Sequence, residues 1–346
     1  MRGWCGALLV AGLVCVAAAP AARAQAPRPD YTPYRQGTFL TFLNASDGPI
    51  GEVPRIGLSF GGRAVRAELD TGSTGIVVAA DYVPGYEQMP SLGPGRVTYT
   101  SSGRVMLGSW LTTPVILIGR MGATVQTEPM PVLVVTEVRC LEEARDCTPS
   151  SQPRGIAMVG IGFAREHDAQ SQGTPDRNPL LRIMGAGGGT RRTGYIVTRD
   201  GIQVGITAAS TQGDFRYIKL ARQESTPDWA PTPACLSVNG QTPPACGSLL
   251  VDTGVPAAFI TLPDTQAGDA RRTLSDGTSV AVRVGSGEGA FDLYDFTVGG
   301  NSPLAPTTVH LRVAPDRAFL NTGFHLLNGY DVLFDAEEGY VGFRRR

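Results

Sequence analysis

The sequence predicts a mainly β protein made of two similar lobes. Three observations carry this. From Gly37 onward, short β-rich runs alternate with Gly-, Pro- and Asp-containing turns, among 44 Gly and 26 Pro. Long amphipathic helical patterns are missing. The tripeptide Asp-Thr-Gly occurs twice, at Asp70-Thr71-Gly72 and at Asp252-Thr253-Gly254, in matching surroundings. The length, 346 residues, is generous for one core and suits two packed lobes. Hydrophobic content of 42% and charged content of 18% are those of an ordinary globular chain. A net charge of -1 gives no attraction to nucleic acid or to an anionic membrane.

The elements follow in order. Residues 1–24 read as a secretory signal: Arg2 at the start, an apolar run from Ala7 to Ala19, then Ala22-Arg23-Ala24 as a small-x-small cleavage site. That run is short for a membrane span. The expectation is an exported protein, periplasmic or secreted, with no span left after cleavage; a retained signal anchor is the lesser alternative. Residues 25–36, rich in Pro and Arg, are expected to be irregular. Residues 37–184 form the first lobe, with strands expected at "GTFLTFL", "PRIGLSF", "AVRAELD" and "GIVVAA". "DRNPLLRIM" (176–184) is the best short-helix candidate. Residues 185–190 are a Gly-rich connection. They do not form a dinucleotide loop, because Thr190 stands where a third glycine is needed. Residues 191–346 form the second lobe.

Four cysteines remain after signal removal: Cys140, Cys147, Cys235 and Cys246. Of the three pairings open to them, the local one, Cys140 with Cys147 and Cys235 with Cys246, is expected. Export makes disulfides plausible, and the gaps do not suit zinc knuckles. Lys219 is the only lysine among 30 basic residues. This arginine bias points to a GC-rich bacterial genome and leaves little scope for lysine-based covalent catalysis.

The two tripeptides carry the chemistry. "AELDTGSTGIVVAA" and "LLVDTGVPAAFITL" both run apolar strand, Asp-Thr-Gly, short turn, apolar strand. Two carboxylates brought close together cannot both ionise cheaply, so they share a proton. One then takes a proton from a water while the other supports a carbonyl oxygen as it becomes tetrahedral. Gly72 and Gly254 let each turn run close to its neighbour. Thr71 and Thr253 have hydroxyls able to tie the two turns together.

At these residues the chain resembles the pepsin-like aspartic proteases. The resemblance spans roughly residues 37–346. "AMVGIGFA" (157–164) resembles the family's apolar-apolar-Gly element of the first lobe. "FLNTGFHLLNGYDVLFDAEEGYVGFR" resembles its C-terminal run, and "ACLSVNGQTPPACGSLLVDTG" places a cysteine pair before the second motif. The resemblance implies a bilobal β fold with a cleft between pseudo-symmetric lobes. It also implies Asp70 and Asp252 as the catalytic pair, and Thr71, Gly72, Ser73, Thr253 and Gly254 as their support. "RVTYTSSGRVMLG" (96–108) stands where the family has its flap hairpin, with Tyr99 near the turn. The implied activity is peptide-bond hydrolysis by a monomer on peptide or unfolded protein, with no metal and no cofactor.

Departures matter too. The family has Ser or Thr after each Asp-Thr-Gly. Ser73 keeps it, but Val255 and Pro256 follow the second motif. A lost hydrogen bond to a carboxylate favours its neutral form, so Asp252 is expected to have the higher pKa and the working pH to shift upward. "LNTG" (320–323) puts Asn321 and Thr322 where two apolar residues are usual, and polar groups there must find partners. No long basic segment precedes the first strand, so no latency segment of the pepsin type is expected. His167, His310 and His325 are scattered without metal spacing, and "REHD" (165–168) reads as a solvated loop. No G-x-S-x-G turn occurs. The alternative is a pepsin-fold protein of the cell envelope that binds, or acts like an inhibitor, without cleaving.

Overall fold

The computed structural model describes residue 1 and residues 28–144, 147–165, 172–185, 190–224, 226–267 and 272–346. The signal segment and most of "REHD" lie outside the described residues, as does most of the Gly-rich connection. The chain is mainly β. Among the described residues, 22 strands form sheets of six, nine and seven strands. No helix there is long and apolar enough to cross a membrane. Residues 28–36 hold neither helix nor strand.

Each Asp-Thr-Gly turn joins two strands that flank a third. In the nine-stranded sheet, Val65–Asp70 enters the turn and Thr74–Ala79 leaves it. Ala157–Ile161 lies between them, parallel to the first and antiparallel to the second. In the seven-stranded sheet, Ala245–Leu250 enters, Ala258–Leu262 leaves, and Phe319–Asn321 lies between with the same two senses. The repeat read from the tripeptides therefore extends to their strand neighbours. Ile76, Val77, Val78 and Ala79 make up most of Thr74–Ala79, which is buried throughout, as a central strand covered on both faces requires.

The six-stranded sheet has a different origin. Its first strand is Thr38–Thr41, which pairs with Gly201–Ile206, and its other strands come from residues 192–345. One continuous apolar cluster runs through all three sheets, with Leu40, Ile56 and Val280 as examples from each.

The segment 176–184 is not an α-helix. It forms two single 3₁₀ turns, Pro175–Arg177 and Pro179–Leu181. Pro179 has no N–H and disfavours helical backbone at Asn178. Asn178 instead caps the second turn, accepting from Leu180 N at 3.0 Å, and donates to the Ile161 and Gly162 carbonyls at 3.1 Å each. The segment therefore buttresses the end of the strand that lies beside Asp70.

Both disulfides follow the local pairing, Cys140–Cys147 and Cys235–Cys246. The second joins directly opposed residues of Thr232–Val238 and Ala245–Leu250, the hairpin that leads to Asp252. Two disulfides and the lack of a spanning helix among the described residues are compatible with an exported protein.

A buried ion pair anchors the six-stranded sheet. The Arg192 guanidinium, 6% exposed, donates to both oxygens of Asp335, 0% exposed, at 3.0 and 2.8 Å. Tyr31 from the N-terminal segment donates to the same carboxylate at 3.1 Å. Removing one partner of such a pair strands the other charge. Arg192→Leu is expected to lower stability by about 3–5 kcal/mol, read as a lower denaturant midpoint with an unchanged slope.

Candidate active site

The two turns meet back to back. The Thr71 amide donates to the Thr253 hydroxyl at 3.0 Å, and the Thr253 amide donates to the Thr71 hydroxyl at 2.9 Å. Each hydroxyl then donates across to the residue just before the other aspartate: Thr71 to the Val251 carbonyl at 2.7 Å, Thr253 to the Leu69 carbonyl at 2.6 Å. Both threonines are buried, so these charge-neutral bonds form away from competing water. Two distant parts of the chain are thereby fixed in one reciprocal arrangement.

This arrangement presses each glycine against the opposite aspartate. A Cβ on Gly72 would stand 2.3 Å from Asp252 Cγ, and one on Gly254 would stand 2.5 Å from Asp70 Oδ1. Only a residue without a side chain fits at either place. Within each turn the glycine amide also donates to its own aspartate, Gly72 to Asp70 at 2.7 Å and Gly254 to Asp252 at 2.8 Å. The carboxyl groups lie within hydrogen-bonding reach of each other. Asp70 is 6% exposed and Asp252 7%. Burial, and then the negative charge of Asp70, push the Asp252 pKa well above the ordinary carboxylate range. The pair accordingly favours a state that holds one proton.

The outer oxygens are satisfied differently. Ser73 donates to Asp70 Oδ2 at 2.5 Å. For Asp252 the corresponding donor is Asn321, whose Nδ2 reaches Oδ2 at 2.5 Å. The sequence shows that Asn321 needs a partner, with the back of the Asp252 turn one place for it, and leaves the choice open. Its signal was a polar residue in an otherwise apolar element. Thr322 is satisfied locally, donating to the Gly323 carbonyl at 2.7 Å. Asp252 has the raised pKa expected from the sequence, but the reason differs. Its outer oxygen keeps a hydrogen bond, which works against the rise, and burial together with Asp70 outweighs it.

Tyr99 ends the strand Ser91–Tyr99, which pairs with Arg104–Thr113 as a hairpin. Its ring is half-buried against the cluster of Val77, Val97, Met106 and Trp110. Its hydroxyl lies near Ser73, the residue that donates to Asp70. Burial and the nearby Asp70 charge push the Tyr99 pKa up, so the phenol stays protonated. The structure thus brings together Asp70, Thr71, Gly72, Ser73, Tyr99, Asp252, Thr253 and Gly254. The four cysteines form the two disulfides instead, one closing the loop after Met130–Cys140 and one across the hairpin that leads to Asp252. No family model and no curated protein matches the chain.

Proposed function

We propose that the chain is an aspartic endopeptidase of the pepsin-like kind, cleaving peptide or unfolded protein outside the cytoplasm. The observation that supports this most strongly is the reciprocal Thr71–Thr253 tie, which holds two buried carboxyl groups in contact. In this reading the nine- and seven-stranded sheets belong to the two lobes, and the six-stranded sheet joins them.

The chemistry follows from one shared proton. A water seated between the carboxyls gives a proton to Asp70 as its oxygen attacks the peptide carbonyl carbon. Asp252 gives its proton to the carbonyl oxygen, producing a neutral tetrahedral diol. Asp70 then passes its proton to the amide nitrogen as the C–N bond breaks. One diol hydroxyl returns a proton to Asp252 as the carboxylic acid forms. No covalent enzyme intermediate is needed. The hairpin bearing Tyr99 acts as the flap, covering the substrate and linking it to Ser73.

The pH dependence follows from Asp252. Cleavage needs its proton, so activity falls as pH rises through its raised pKa, not through the usual carboxylate value of about 3.9. The expected result is cleavage of unfolded protein that persists into the weakly acidic to neutral range and is blocked by a statine-type peptide. A profile confined to pH below about 4 would contradict the raised pKa. Tight binding of the statine peptide with no cleavage at any pH would instead favour the pepsin-fold binding protein.

A further inference from the structure

We propose that Asn321 is a positioning residue for Asp252, taking over from the crossing strand the hydrogen bond that the second turn has lost. This rests on the peptidase reading above. The strand registers give the comparison between the halves. In the first half, Met158 pairs with Glu68 on one side and Val77 on the other. In the second, Asn321 pairs with Leu250 and Phe259. Leu250 and Phe259 stand to Asp252 as Glu68 and Val77 stand to Asp70, two residues before and seven after. Asn321 thus occupies the place of Met158, and Val255 the place of Ser73.

Two side chains have been exchanged in kind. In the first half the turn supplies the donor, Ser73, and the crossing strand supplies an apolar side chain, Met158, whose sulfur lies 3.6 Å from the Ser73 hydroxyl. In the second half the turn supplies the apolar side chain, Val255, and the crossing strand supplies the donor. Each aspartate ends with one donor on its outer oxygen and its own turn's glycine amide on the inner one.

The amide is held in one orientation. Its Oδ1 accepts from the Gly323 amide at 3.0 Å, so Nδ2 is the atom that faces Asp252. Gly323 has φ 62°, a backbone that favours glycine. A Cβ there would meet the Ala257 and Val255 carbonyls at 2.8 and 3.0 Å. The support therefore runs from the turn, through Gly323 and Asn321, to the carboxylate.

The test uses Asn321→Leu and Asn321→Ala, neither of which has a side-chain donor for Asp252, and Thr322→Val as a neighbouring control. Two readouts are followed: kcat and KM across pH on a peptide, and ¹³C carboxyl shifts of labelled aspartate. Losing a donor to the ionised form should raise the upper pKa of the pair by about one unit and lower kcat at least about tenfold, with little change in KM. Thr322→Val should lower melting temperature alone. Wild-type titration and kcat in either folded Asn321 variant, or changes no larger than those of Thr322→Val, would overturn the proposal. Asn321→Ala decides the matter where Asn321→Leu does not fold. If the wild type cleaves no peptide, the peptidase reading fails by itself, and the carboxyl titration still decides whether Asn321 tunes Asp252.

Discussion

Replacing Asp70 or Asp252 by Asn is expected to lower kcat by about 10²–10⁴-fold for each single change, with the fold intact. Both carboxyls must act in both halves of the reaction, so neither variant keeps a partial route. Asp70→Asn removes the group that receives the water's proton. Asp252→Asn removes the proton that neutralises the carbonyl oxygen, and it removes the charge coupling that keeps one proton on the pair. Cleavage of a labelled unfolded protein by each variant is the direct measurement. Activity within about tenfold of wild type in either would refute the shared mechanism.

The same variant carries a stability prediction of definite sign. Asp252 has its folded pKa raised above its unfolded value. Its contribution to stability is therefore fully present below the unfolded pKa and is lost as pH rises through the folded one. Wild type should lose stability with rising pH across that window, because burial beside Asp70 opposes ionisation. Asp252→Asn has no such proton to lose. Its melting temperature should fall less over the same range and should match or exceed that of wild type near neutral pH. An inactive variant that is no less stable is what a site strained for chemistry produces. Equal pH slopes for the two proteins would mean that Asp252 ionises in the native state as easily as in the unfolded one.

How legible the site was depends on where each interaction lies along the chain. Asp70, Thr71, Gly72 and their counterparts could be read because the motif repeats and each member acts within or across identical turns. The local disulfides could be read because short loops close easily. Asn321 could not be assigned, because its partner is 69 residues away in sequence and the two meet only when Phe319–Asn321 lies beside Ala245–Leu250. The sequence showed a missing hydroxyl at Val255 and an odd polar residue at Asn321 as two separate anomalies. The register shows one exchange. The pairing of Thr38–Thr41 with Gly201–Ile206 is similar: local pattern identifies a strand but not its distant partner. The short-helix expectation failed for a local reason, since Pro179 sits inside an apolar spacing that otherwise looks helical.

The tight approach of the turns leads to the second large effect, Gly72→Ala. An alanine Cβ at this position stands 2.3 Å from Asp252 Cγ and 2.4 Å from each carboxyl oxygen. The turns cannot simply part, because Thr71 and Thr253 tie them at 3.0 and 2.9 Å from both sides. The softer response is rotation of the Asp252 side chain, which stretches its bond to Asn321 and separates the carboxyls. Misplacement by about 1 Å at a reacting group costs about 10² in rate, while overpacking of this kind costs about 1–3 kcal/mol of stability. Gly72→Ala should therefore fold, melt lower, and lose kcat by about 10²-fold or more with a smaller change in KM. Gly254→Ala, with its Cβ 2.5 Å from Asp70 Oδ1, should behave alike from the other side. Gly48→Ala, where a Cβ meets nothing within 4 Å, controls for the loss of glycine's freedom in the unfolded chain and should cleave like wild type. If Gly72→Ala kept wild-type kcat, the carboxyls would have room to spare, and close contact between them could not be what holds their proton.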